Sequence, residues 1–204
     1  MTKEWHSEVE GWERQTTKTE CLPVCLYNIL TNLSKNKHYY EFLPVSLQKM
    51  KEIAGYAPST GSSWDVALKG IRSRLQRKNV RDWEIRDLEG KGVKQDKMCK
   101  ILSDDNCSFP VINLGPEYIS EAYKTPLEGS PFTWIDHCVI ALECEDSAIT
   151  IYDPYTPFGR DHFNPIRKLD RNTFERYWVS SIPAKGMMWF QRVNQSLMQY
   201  GGGI

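Results

Sequence analysis

The 204-residue chain lacks several features that would place it at once in a familiar class of protein. Its formal net charge is zero, because 26 basic side chains balance 26 acidic ones, so no basic surface is predicted for nucleic acid or an anionic membrane. No apolar run reaches the roughly 18 residues of a transmembrane helix, and the polar first residues do not form a signal peptide. These absences predict a cytoplasmic globular protein that neither binds nucleic acid nor spans a membrane.

The cysteines are also too few and too irregularly spaced to suggest a disulfide framework or a zinc site. Six occur, at positions 21, 25, 99, 107, 138 and 144, with no Cys-x-x-Cys pair, and the four histidines are scattered. We therefore expect most of these thiols to be small core residues. Neither a metal nor a cofactor is predicted.

Hydrophobic periodicity predicts helices first and antiparallel strands later, which is typical of an α+β domain. The predicted helices run from Cys21 to about Lys35, over 47–54, from Trp64 to about Arg77 and over 173–178. The predicted strands are 109–114, 137–144, 148–152 and 187–190, and 116–131 is interpreted as a long connection. We expect one domain over 1–204, with an N-terminal arm at 1–14, a helical lobe packed against a sheet lobe, and a flexible Gly-rich tail at 196–204.

Cys21 stands where a polar segment ends and the first helix begins. Unsatisfied amides and the positive end of the helix dipole favour a thiolate at this position, so Cys21 is a candidate nucleophile. Cys25, one turn later, lies in register with Ile29 and is interpreted as a core residue. Glu20 is expected to be solvated.

His137 and Asp153 are the candidates for a base and the group that orients it. A hairpin with a three-residue loop centred on Glu145 places His137 directly opposite Asp153. A carboxylate in that position accepts the imidazole N–H, fixes the tautomer and stabilises the imidazolium. The neighbouring residues Asp136 and Cys138, and also His162, are interpreted as having no chemical role.

Gln15 completes the candidate site, because its side-chain amide is able to donate to a developing oxyanion together with the Cys21 backbone N–H. Gln15 six residues before Cys21, the strand opened by His137 and the Asp153–Pro154 pair together resemble the papain-like cysteine peptidases. Within that superfamily the chain is most similar to the bacteriocin-processing peptidases that cut after a double-glycine leader, and to their stand-alone relatives. The Phe174-x-x-x-Trp178 helix also looks familial.

The resemblance implies a papain-like fold and a peptide or protein substrate, possibly cleaved after Gly-Gly. It also implies roles for four residues: Cys21 as nucleophile, His137 as base, Asp153 as orienter and Gln15 in the oxyanion hole. One departure is that Leu22 stands where these peptidases usually carry glycine. Two alternatives stay open, namely an inactive papain-like domain that binds a Gly-rich peptide or partner, and a transglutaminase- or deamidase-type acyltransferase.

Overall fold

A computed structural model describes residues 9–35, 46–123, 136–155 and 164–193. Six helices occur in these segments, and each begins where the sequence supplies a cap, a proline or a loop. They are α1 (Cys21–Lys35), α2 (Leu47–Ile53), α3 (Trp64–Arg77), α4 (Gln95–Leu102), α5 (Pro116–Tyr123) and α6 (Arg171–Val179). Ser46 caps α2 by accepting from the Lys49 N–H, and Asp170 caps α6 by accepting from the Thr173 N–H, as short polar side chains do at helix starts.

The described strands form one antiparallel sheet in the order β1-β6-β2-β3-β4-β5. They are β1 (Trp83–Leu88), β2 (Val111–Leu114), β3 (His137–Cys144), β4 (Ala148–Tyr152), β5 (Ile166–Asp170) and β6 (Met187–Arg192). β2, β3 and β4 lie in the middle of the sheet and are almost entirely buried. Central strands covered on both faces lose the polar alternation of half-exposed strands.

The core is continuous between the helices and the sheet, and α1 packs directly against β3. Cys25, Leu26 and Ile29 of α1 are fully or almost fully buried at this contact layer. The segment before α1 is anchored as well, because the Trp12 indole is buried edge-on against Phe109 and Tyr152. This packing fixes the start of α1 relative to the sheet.

The predicted α+β class is confirmed, and so are the helix from Trp64 to Arg77 and the strands at 137–144 and 148–152. The predicted order of helices first and strands later missed β1, in which Asp87 falls on the face that Trp83 and Ile85 bury and so breaks the apolar alternation. The interpretation of 116–131 as a connection was wrong at its start, because α5 occupies Pro116–Tyr123. A proline at the first helical position, followed by buried Tyr118, Ile119 and Tyr123, was the signal available in the sequence.

Cys99 of α4 and Cys144 of β3 are joined by a disulfide across a 5.4 Å Cα separation, a pairing that the sequence did not predict. The other four cysteines are free and buried.

None of the described helices is both long and apolar enough to cross a bilayer. His162, the tail at 196–204, most of the N-terminal arm and the later part of the 116–131 connection lie outside the described residues.

Candidate active site

Cys21 is the first residue of α1 and lines a cleft of about 280 Å³. The residue is only 6% exposed, but its place in the cleft wall keeps it in contact with the space a ligand would occupy. Pro23, in the first turn, has no backbone N–H to leave unsatisfied, so the helix is able to start directly at the cysteine. The thiol therefore belongs to the residue at the N-terminus of α1, at the edge of the cleft.

His137 and Asp153 are brought together in the interior. The His137 Nε2 lies 2.7 Å from Asp153 Oδ1, and both side chains are buried. On its other side His137 interacts with Cys21 through a hydrogen bond and through charge, and both raise the pKa of the imidazole. The thiol, the imidazole and the carboxylate thus follow one another in a line. Three of the four predicted residues therefore meet, from α1, from β3 and from the residue that follows β4.

The predicted hairpin register was wrong, although the two side chains do meet. Ile140 pairs with Tyr152, two residues further along β4 than the predicted register allows, and the last pair before the turn is Cys144 with Ile149. On the His137 side of the bulge between Ala141 and Glu143, this shift of two residues keeps each side chain on its original face, because the side-chain period of a strand is two. Asp153 is therefore a diagonal neighbour of His137 on the same face, within side-chain reach.

Two tyrosines of α5 hold the Asp153 carboxylate, and sequence reasoning missed both. The Tyr118 hydroxyl donates to Oδ2 at 2.5 Å, and the Tyr123 hydroxyl donates to the same oxygen. The Tyr155 backbone N–H donates to Oδ1 at 2.9 Å. Because each carboxylate oxygen is thus hydrogen-bonded, Asp153 has little freedom to rotate away from His137.

The electrostatics of these residues favour a thiolate–imidazolium pair. A hydrogen bond from the Cys138 thiol, helped by the hydrogen bond and charge of His137, holds the pKa of Cys21 well below its ordinary value despite burial. Burial by itself would lower the pKa of His137, but the charge and hydrogen bond of Asp153, together with Cys21, raise it to about 10. Asp153 is fully buried, yet its pKa is lowered because His137 and the two tyrosines stabilise the carboxylate.

Cys138 is a direct neighbour of Cys21, contrary to the interpretation that it has no part in the site. The hydrogen bond to Cys21 and burial raise the pKa of the Cys138 thiol well above its ordinary value, so Cys138 keeps its proton while Cys21 gives up its own. Its sulfur lies 3.6 Å from the Asn113 Oδ1 on β2. Cys25 is a buried core thiol with a pKa raised by desolvation, as its helical register predicted.

Gln15 lies near the site but does not line the cleft. Its Nε2 donates to the Thr17 carbonyl at 3.0 Å, and its backbone N–H donates to the Pro154 carbonyl at 3.0 Å. The Pro154 contact ties the segment before α1 to the residue next to Asp153. The side-chain oxygen of Gln15 is buried without a hydrogen-bond partner, so the orientation of the amide is set on its nitrogen side alone.

Glu20 is buried, which overturns the expectation that it is solvated. Its side chain pairs with the Lys51 ammonium at 2.5 Å and accepts from Thr16 through the backbone N–H and the hydroxyl, and from the Thr17 N–H. Desolvation would raise the pKa of Glu20, but Lys51 and Thr16 lower it. Glu20, the residue before the candidate nucleophile, therefore stabilises the turn that follows Gln15.

The described part of the chain contains no group of three or more His, Cys, Asp or Glu side chains able to hold a metal ion. The arrangement that it does contain is suited to nucleophilic chemistry by a sulfur atom. A thiolate beside an imidazolium, with a buried carboxylate behind the ring, is the activated form of a cysteine nucleophile.

Comparisons with solved structures identify proteins of similar fold, whereas comparisons of the sequence find no match. No protein-family model matches the sequence, and no curated protein does. Among solved structures, a C39-like peptidase from Bacillus anthracis matches with a TM-score of 0.56 at 14% identity, over 92% of this chain and 96% of that one. A double-glycine motif protease from an AMS/PCAT transporter, solved with its leader peptide, matches with a TM-score of 0.53 at 16% identity, over 88% and 89% of the two chains.

A third match is the peptidase domain of Streptococcus ComA, a bifunctional ABC transporter of a quorum-sensing pathway, with a TM-score of 0.50 at 10% identity. It covers 88% of this chain and 96% of that domain. The chain thus has the papain-like α+β fold of the C39-like double-glycine peptidases, with helices packed against a six-stranded antiparallel sheet.

Proposed function

We propose that this chain is a cysteine peptidase in which Cys21, His137 and Asp153 form the catalytic triad. The observation that carries the proposal is the buried line from Cys21 through His137 to Asp153, with a 2.7 Å hydrogen bond at its far end. The line begins at a helix N-terminus in the wall of a cleft. The Cys21 thiol has a lowered pKa and also lines the cleft. A purely structural cysteine needs neither property, and perturbed pKa values cluster at functional sites.

In the proposed mechanism the Cys21 thiolate attacks the carbonyl carbon of the scissile peptide bond and forms a tetrahedral intermediate. The His137 imidazolium donates its proton to the leaving amine, so that the amine departs and a thioester remains on Cys21. His137, now neutral, then takes a proton from water as the water attacks the thioester. The bond between the Cys21 sulfur and the acyl carbon then breaks, which releases the acid product and restores the thiolate beside the protonated His137. Asp153 keeps the ring in one tautomer and stabilises its charged form.

The Cys21 backbone N–H and the Gln15 side chain are the proposed donors to the oxyanion. The Nε2 of Gln15 carries two N–H groups, and the hydrogen bond to Thr17 uses one of them. Because Gln15 is buried outside the cleft wall, the proposed role requires its amide to turn toward Cys21 when the substrate binds. Loss of such a donor costs on the order of a hundred- to a thousandfold in rate. We therefore expect Gln15→Ala to lower kcat while leaving Cys21 alkylation fast.

The proposed substrate is a peptide or an exposed segment of a protein. The transporter protease with the same fold was solved in complex with a leader peptide, which supports a peptide as the ligand of this chain. The proposed nucleophile lines a cleft and not a closed cavity, so a chain is able to pass over it.

Selective alkylation tests the proposal. Four of the six thiols are free, and iodoacetamide at neutral pH should label Cys21 far faster than Cys25, Cys107 or Cys138, as read by peptide mass spectrometry. Asp153→Asn should remove that difference, and Cys21→Ser should abolish cleavage of a peptide library. Slow and uniform labelling together with peptide binding would instead identify an inactive peptide-binding domain, a reading that Leu22 in the cleft wall favours.

A further inference from the structure

The cleft beside Cys21 is shaped for a side chain and not for glycine alone. Its volume of about 280 Å³ lies just under the range of small-ligand pockets, which suits one long side chain. Its walls come from α1, the 60–64 segment, β2, the start of β3 and the segment after α6, namely Thr19, Cys21, Leu22, Thr60, Gly61, Ser62, Trp64, Asn113, Asp136, Cys138 and Ile182. A glycine next to the scissile bond would leave this space unfilled.

Asp136 brings a carboxylate into this cleft with one oxygen uncommitted. Its Oδ2 accepts from the Asn113 Nδ2 at 2.9 Å and from the Ile182 backbone N–H. No hydrogen bond within the described residues ends on Oδ1. Desolvation, opposed by these two donors and reinforced by the charges of Cys21 and Glu117, raises the pKa of Asp136 to about 6. The carboxylate therefore carries a charge at neutral pH.

Nothing in the described wall of the cleft neutralises that charge. The wall contains no Lys, Arg or His side chain. The charged or titratable groups that influence Asp136 are Cys21 on α1 and Glu117 on α5, and both disfavour its ionisation. A cation entering the cleft would therefore meet an unpaired, partly desolvated carboxylate, where a charge-assisted hydrogen bond is strongest.

The cleft also carries apolar surface suited to the stem of a long basic side chain. Ile182 is 84% exposed, one of only two large hydrophobic residues that are exposed in the described chain, and it stands beside Asp136 through its backbone hydrogen bond. Leu22 adds a second aliphatic surface in the same wall. Lysine and arginine bury their methylene groups along apolar surface while their charged ends reach a polar partner.

We propose, building on the peptidase function above, that this cleft selects a substrate with Lys or Arg adjacent to the scissile bond. The Asp136 Oδ1 accepts from the ammonium or guanidinium group, and Leu22 and Ile182 cover the aliphatic stem. Asp136 thereby acts as the residue that sets specificity. The chain then departs from the double-glycine preference that its fold relatives suggest.

The test uses the full chain and a peptide set in which each position flanking the cleaved bond is Gly, Lys, Arg or Glu in turn. Lys and Arg at one adjacent position should raise kcat/KM over Gly by about tenfold or more, since one charge-assisted hydrogen bond supplies that much discrimination. Asp136→Asn, which keeps an acceptor for Asn113 and Ile182, should bring the Lys-to-Gly ratio close to one. Asp136→Lys should shift the preference toward Glu.

The matched control is Asp146→Asn, which removes a carboxylate from the exposed turn at the other end of the same hairpin and should leave the Lys-to-Gly ratio unchanged. Cleavage with no preference for Lys or Arg, or a preference that Asp136→Asn leaves intact, overturns the specificity while the peptidase proposal stands.

If the wild-type protein cleaves nothing, the peptidase proposal fails, and the specificity is decided by binding. Calorimetry of Cys21→Ser with the same peptides should then show the Lys peptide binding about tenfold more tightly than the Gly peptide, and Asp136→Asn should remove the difference. Equal affinities for the two peptides would overturn the specificity as well.

Discussion

Tyr118 holds His137 and Asp153 at the same time: its ring lies 5.8 Å from the imidazole at an interplanar angle of 11°, and its hydroxyl donates to the Asp153 carboxylate at 2.5 Å. One side chain of α5 thus fixes the plane of the proposed base and one oxygen of its orienter. Helix α5 therefore positions His137 and Asp153, although it contributes no proposed catalytic group.

Tyr118→Phe should keep the ring and remove the hydroxyl. We expect kcat to fall by about tenfold, and the free energy of unfolding to fall by roughly 1–3 kcal/mol, because a buried carboxylate loses a donor. Chemical denaturation and steady-state cleavage measure the two effects. Tyr177→Phe is the matched control, since its hydroxyl donates to the half-exposed Glu121 at 2.7 Å. Equal losses in the two variants would show that Tyr118 has no special role in positioning His137.

The Cys21–His137 pair should leave a signature in the pH dependence of stability. The pKa of Cys21 is lower in the folded chain than its ordinary value of 9.0, so its contribution is fully present above pH 9 and is lost as the pH falls through the folded pKa. The pKa of His137 is raised from 6.5 to about 10, so its contribution is fully present below pH 6.5 and is lost as the pH rises toward 10.

Over pH 6.5–9 the two trends oppose each other, because the folded pair keeps its proton on His137 while the unfolded chain keeps one on Cys21. The free energy of unfolding of wild type minus that of Cys21→Ser should therefore rise with pH up to about 9 and then level off. Urea denaturation across this pH range measures the difference. If this difference does not change with pH, Cys21 has the same pKa in the folded and the unfolded chain, and the proposed thiolate is wrong.

Glu20→Gln should loosen the turn that follows Gln15. The variant leaves Lys51 without a carboxylate and weakens the hydrogen bonds to Thr16, so we expect a loss of roughly 1–3 kcal/mol in the free energy of unfolding and a lower kcat. Glu52→Gln breaks the exposed Lys49–Glu52 pair and should cost less than about 1 kcal/mol. If chemical denaturation gives both variants the same small loss in the free energy of unfolding, Glu20 does not stabilise this turn.

The Cys99–Cys144 disulfide should be visible as a thiol count and as stability. Under denaturing conditions without reductant, Ellman's reagent should find four thiols, rising to six after reduction. The bond closes a loop across a sequence separation of 45, for which chain entropy predicts a contribution of roughly 4 kcal/mol or less. Cys99→Ser should lower the free energy of unfolding without slowing Cys21 alkylation, and six thiols before reduction would disprove the bond.

The candidate site was predictable in parts, for local reasons. Cys21 was found because a polar segment meets an apolar helix pattern, and His137 and Asp153 because each stands at a strand end. The register between those strands was not predictable, since the bulge between Ala141 and Glu143 leaves no mark in the sequence. Tyr118 and Tyr123 were missed because they act through contacts distant in sequence from Asp153.

The sequence by itself determined the α+β class, the main helices, the two strands of the hairpin and the identity of the proposed nucleophile and base. Those features follow from periodicity and from helix-end chemistry, which act over a few residues. Only the tertiary structure decided that Glu20 is buried against Lys51, that Cys138 touches Cys21, and that Asp136 faces an open cleft. Burial and charge pairing depend on which distant segments pack together, and no local pattern records that.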